Sequence, residues 1–134
     1  MRMKHIVTTL GLALMSVGGS ANAHHAFAAE FDQALPLSLK GTVVRVEMIN
    51  PHSWIHIEVT DGSGEKTVWM VEGGSPNSLY RQGITKNSVP VGSELTVNGY
   101  QARDRSNRVV GRDITFADGR ELFITGTRVP DATE

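Results

Sequence analysis

His24-His25, His52, His56 and the basic run Arg103, Arg105, Arg108 are the side chains of this 134-residue chain best suited to hold something. Cleavage after Ala23 would give His24 a free α-amine, and an amine together with the imidazole of its own residue chelates a metal such as copper. Imidazole suits copper, zinc and nickel alike. An α-amine titrates near ~7.7–8.0 and imidazole near ~6.5, so neither proton is costly to displace around neutral pH. One further histidine would complete a three-nitrogen metal site, and His25, His52 and His56 are the candidates. The plainer alternative is that histidines at the start of a chain are simply solvated.

A second constellation lies in Asn50-Pro51-His52-Ser53-Trp54-Ile55-His56-Ile57-Glu58-Val59. Side chains alternate across a strand, so Ile55, Ile57 and Val59 line a core face while His52, Trp54, His56 and Glu58 line the other. Along a strand, four residues separate His52 from His56 by about 13 Å, so the two do not share one ion unless the chain bends at Pro51. Trp54 beside histidines suits a ligand platform or simple packing. Arginine and tryptophan are enriched at binding hot spots, so Asn50, His52, Trp54 and His56 facing Arg103, Arg105 and Arg108 would make a binding surface. The alternative for the arginines is a solvated loop partly offset by Asp104. Glu47, Glu58 and Glu72 show no spacing that identifies a general acid and base. Ser75 lacks the flanks of a nucleophile elbow and serves better as a helix cap.

Arg2 and Lys4, the apolar run from Ile6 to Val17 and Ala21-Asn22-Ala23 have the layout of a secretory signal peptide spanning 1–23. The run is shorter than the about 20 residues a membrane-spanning helix needs, so removal is expected rather than anchoring. Loss of Arg2 and Lys4 leaves an acidic mature chain, with no basic excess to suggest a nucleic-acid partner. Cysteine is absent, which excludes disulfides, thiol chemistry and cysteine-ligated zinc. The expected address is periplasmic or secreted.

These residues need a scaffold, and the chain supplies strands. Phe27, Phe31 and Leu35 recur every fourth residue, as a short helical turn or an arm plugging a barrel end within 24–38. Leu39 to Ile49 reads as a long strand in which Thr42, Val44, Val46 and Met48 oppose Val43, Arg45 and Glu47, with Gly41 allowing a bend. Asn50-Pro51 ends it. Asp61-Gly62-Ser63-Gly64 is hairpin chemistry and Lys66 to Glu72 the return strand. Ser75 as N-cap, Pro76 at the first helical position and Gly83 past the end mark one short helix. Val89-Pro90-Val91-Gly92 turns into a strand from Glu94 to Ala102 with a bulge at Asn98-Gly99, and Val109 to Phe116 pairs with Glu121 to Ile124 through Ala117-Asp118-Gly119-Arg120. The segment 129–134 reads as a flexible tail.

This order predicts an all-β fold: an OB-fold-like Greek-key barrel of five to six strands over 39–128, with its helix between strands three and four. A small β-sandwich is the competing architecture. The mature start His24-His25-Ala26-Phe27-Ala28-Ala29-Glu30-Phe31-Asp32, with Leu39-Lys40-Gly41-Thr42-Val43, Asn50-Pro51-His52-Ser53-Trp54-Ile55, Gly74-Ser75-Pro76-Asn77 and Asp118-Gly119-Arg120, resembles a family of small secreted bacterial proteins known only as a domain of unknown function. In architecture the chain is also similar to periplasmic bacterial OB-fold proteins. Neither resemblance implies an activity. The functional expectation is a non-catalytic exported module that binds a small ligand or partner protein; the alternative is a periplasmic copper protein using His24.

Overall fold

Thr42 lies opposite Glu58 on one side and Glu94 on the other, and this shared position is the hinge of the architecture. A computed structural model of the chain describes residues 29–125. Strand β1 (Phe31–Ile49) is long enough to serve two partners: its first part pairs with β4 (Glu94–Ala102) and its last part with β2 (His52–Thr60). Gly41 permits the crossing, because a Cβ there would sit 2.6 Å from the Glu58 carbonyl oxygen.

Strand β3 (Lys66–Glu72) returns antiparallel to β2 across the Asp61 turn. The Asp61 carboxylate accepts from the backbone N–H of Ser63 and Glu65 and from the Ser63 hydroxyl, and Gly64 takes φ 86. Strand β5 (Arg108–Phe116) runs antiparallel to β4 and parallel to the end of β3 over Met70–Glu72, closing the ring β1–β2–β3–β5–β4. The short β6 (Glu121–Leu122) extends β5. Helix α1 (Pro76–Arg81) lies between β3 and β4, capped by the Ser75 hydroxyl accepting from the Ser78 N–H. This is the all-β, OB-fold-like barrel expected from the element order.

Inward positions of all five ring strands form the core, with Ile57, Val71, Val97, Val109 and Ile114 completely buried. Leu79 of α1 and Ile84 just after it close one end of the barrel beside Val46 and Ile55. The predicted bulge at Asn98-Gly99 is present, and a Cβ at Gly99 would lie 2.0 Å from the Val110 carbonyl oxygen.

Two expectations for β1 are corrected. The strand starts at Phe31 rather than Leu39, so the described part of the expected 24–38 arm is largely strand, and the helical turn through Phe31 and Leu35 is not formed. Phe31 is 2% exposed opposite Ala102; Phe27 and the segments 1–23 and 129–134, expected as signal peptide and tail, lie outside the described residues. The two-residue register of the strand is also broken, by an irregularity between Val43 and Arg45. Val43 and Val46 therefore both face inward while Val44 is exposed, where strict alternation set Val43 against Val46. A 3-10 turn at Lys86–Ser88, closed by a Thr85–Ser88 capping box, was not foreseen.

Candidate functional site

Asn50 and Pro51 alone separate β1 from β2, and so short a turn fixes what stands opposite what. Ile49 opposes His52, Glu47 opposes Trp54 and Arg45 opposes His56. On the next strand Trp54 opposes Glu72 and His56 opposes Met70, which in turn lies beside Arg108. Opposed residues share a face. One outward surface thus carries Glu47, then His52, Trp54 and His56, then Met70 and Glu72, then Arg108.

The two histidines on it turn to opposite sides. His56, 13% exposed, places Nε2 2.7 Å from Glu47 Oε2, and Glu47 is held from its other oxygen by Arg45 at 2.5 Å. The His56 hydrogen bond, helped by the charges of Arg45 and His56, holds the Glu47 carboxyl below its usual range. His52, 49% exposed, places Nδ1 2.9 Å from Glu72 Oε1, whose side chain is 9% exposed. Burial pushes the Glu72 carboxyl up, reinforced by Glu30 and opposed by His52 and Arg108. Trp54 stands half-buried between the two pairs, opposite a carboxylate on each neighbouring strand. Its indole N–H has no protein partner among the described residues and is not sealed from solvent.

Ser53, pointing inward, explains why this strand starts where it does. Its hydroxyl and its N–H both donate to the Gly74 carbonyl, at 2.9 Å each, and its carbonyl accepts from the Gly73 N–H. A Cβ on Gly73 would meet the Ser53 hydroxyl at 2.5 Å, so a glycine is required there. The Asn50–Trp54 and Gly74–Asn77 motifs are one contact in space.

Of the arginines expected near this face, only Arg108 joins it. Its guanidinium pairs with Glu30 and lies 3.4 Å from Asp104, and its charge reaches Glu72. Arg103 points to Asp32 at 3.7 Å. Arg105 is exposed with φ 61, and among the described residues it has no acidic partner. Asn50 is exposed in the turn. The reading from sequence missed Glu47 and Glu72 as partners of the histidines. For Glu47 the signal was available in the two-residue turn, whose register puts it opposite Trp54; Glu72 comes to the same face through the β2–β3 pairing across the Asp61 turn.

His24 and His25 lie outside the described residues. Among the described residues no group of three or more His, Asp or Glu is arranged to hold a metal. An open cleft of about 350 Å³ lies on the β1–β4–β5 wall between Leu37, Tyr100 and Arg112, and none of the candidate binding or metal residues named from sequence lines it.

Ring order and helix position give the chain an OB-fold-like barrel, and in OB-folds the β2–β3 face is the usual ligand surface. The chain belongs to the family of unknown function DUF6152, whose model matches residues 12–111. The resemblance drawn from the motifs is met by this match, which ends within β5. No curated protein matches the chain.

Proposed function

We propose that the protein is an exported, non-catalytic binding module that takes a small ligand or a partner protein on the outward face of β2 and β3, with Trp54 at its centre. The observation that carries this reading is the setting of Trp54: a half-buried aromatic with an open indole N–H, held between His52–Glu72 on one side and His56–Glu47 on the other. Both pairs fix their side chains before anything binds, so little conformational entropy remains to be lost there on association. Ile49, 64% exposed at the edge of the same face, adds apolar area.

Export is supported by the charged start, apolar run and Ala21-Asn22-Ala23 of the leader. Among the described residues no helix is long and apolar enough to cross a membrane.

Immobilised wild type and Trp54→Ala, each passed over extract of the source organism, test the reading. The variant is expected to keep the fold, because the Trp54 side chain faces away from the core, and to weaken retention by at least ~1 kcal/mol. Equal recovery of the same material by both would refute this surface.

A further inference from the structure

Two departures from regular pairing border the cleft on the β1–β4–β5 wall. Between Phe31 and Pro36 the register of β1 on β4 slips, after which Pro36 stands opposite Tyr100 and Ser38 opposite Asn98. At the Asn98-Gly99 bulge, Asn98 opposes Asp113 and Gly99 opposes Gly111, so Arg112 is the extra residue of β5. An extra residue breaks the alternation of a strand and re-aims a side chain. Here it leaves two successive residues, Arg112 and Asp113, partly exposed between buried Gly111 and Ile114.

The lining of the cleft divides by chemistry. Pro36, Leu37 and Tyr100 supply apolar surface, Ser38 and Asn98 supply neutral polar groups, and Arg112 is the one charged side chain among the described lining residues. Asp113 does not line the cleft but holds both polar arms beside it. Its Oδ1 accepts from the Asn98 amide at 2.8 Å, and its Oδ2 lies 3.5 Å from Arg112 Nε. The Arg112 side chain is 38% exposed. A guanidinium carries five N–H donors in a fixed planar fork, more than one carboxylate contact uses, and takes a carboxylate through two parallel hydrogen bonds. Apolar walls with a few placed polar groups are the general make-up of a small-molecule site, and about 350 Å³ lies at the small end of such sites.

We propose that this cleft binds a small organic acid, with its carboxylate on Arg112 and its flat apolar body against Tyr100, Pro36 and Leu37. The acid is specified by charge complementarity, because the only charge lining the cleft among the described residues is positive. No residue of the Trp54 face takes part, so loss of either reading leaves the other standing.

The test titrates benzoate and benzamide, the same ring with and without the charge, into ¹⁵N-labelled protein at neutral pH and constant ionic strength. Benzoate is expected to shift the backbone signals of Gly99, Tyr100 and Arg112 saturably while the Trp54 indole signal stays in place. Benzamide is expected to bind at least ~10-fold more weakly, since it forfeits the charge-assisted pair. Arg112→Gln should raise the benzoate Kd to that of benzamide. Equal binding of the two probes, benzoate shifts that centre on Trp54 or are absent, or unchanged benzoate binding by Arg112→Gln would each overturn the proposal. The comparison of the two probes in the wild type needs no substitution and decides alone if Arg112→Gln does not fold.

Discussion

A carboxylate that holds a histidine is the recurring device on the outward face, and its two copies differ in burial. Glu47 is partly buried and stabilised as an anion by His56; Glu72 is covered more deeply and resists ionisation. The sign for Glu47 follows from the lowered carboxyl: its contribution is fully present above the ordinary 4.5 and is lost as pH falls through the depressed folded value. Glu47→Gln should therefore flatten the acid side of the stability profile while leaving the shape of the neutral region, a difference read from urea midpoints across pH. A parallel profile for the two proteins would show that the pair contributes nothing. Trp54, His52 and His56 could be assigned to one face from sequence because alternation alone decides that. Glu47 could be set opposite Trp54 by counting back from the Asn50-Pro51 turn, because the irregularity between Val43 and Arg45 shifts the register only beyond Arg45, at Val43 and Thr42; Glu72 could not be reached that way, since it lies on β3.

Glycines decide where strands can bend and touch. Helix α1 was readable to the residue, because Ser75, Pro76 and Gly83 each do a job that depends only on neighbours in sequence. The start of β1 was not: Phe31 to Lys40 is strand because β4 lies alongside it, a partner more than fifty residues away in the chain. Gly99 shows how tight the contacts are, with the Val110 carbonyl where a Cβ would go. Gly99→Ala is accordingly expected to destabilise by more than ~2 kcal/mol, since backbone rather than a movable side chain must give way. Gly62, with nothing within 4 Å of a Cβ and no left-handed φ, is the matched control, and Gly62→Ala should change stability by less than ~1 kcal/mol. Similar losses at both sites in denaturant unfolding would remove the close-approach explanation of the Asn98-Gly99 bulge.

Taken as a barrel, the molecule divides its outer wall between a β2–β3 face of paired charges around an aromatic and a β1–β4–β5 cleft lined by Leu37, Tyr100 and Arg112. The binding-module reading stands on the first of these. The chain's two tryptophans make the choice measurable, because Trp54 faces outward on β2 while Trp69 on β3 packs against the core. Indole N–H resonances of ¹⁵N-labelled protein, with Trp54 assigned through Trp54→Phe, can be followed as the material retained by the immobilised wild type is added back. The account predicts that the Trp54 signal shifts or broadens with added material while the Trp69 signal stays in place. A Trp54 signal that never moves while backbone signals around Leu37 and Tyr100 do would put the binding surface on the other wall and contradict it.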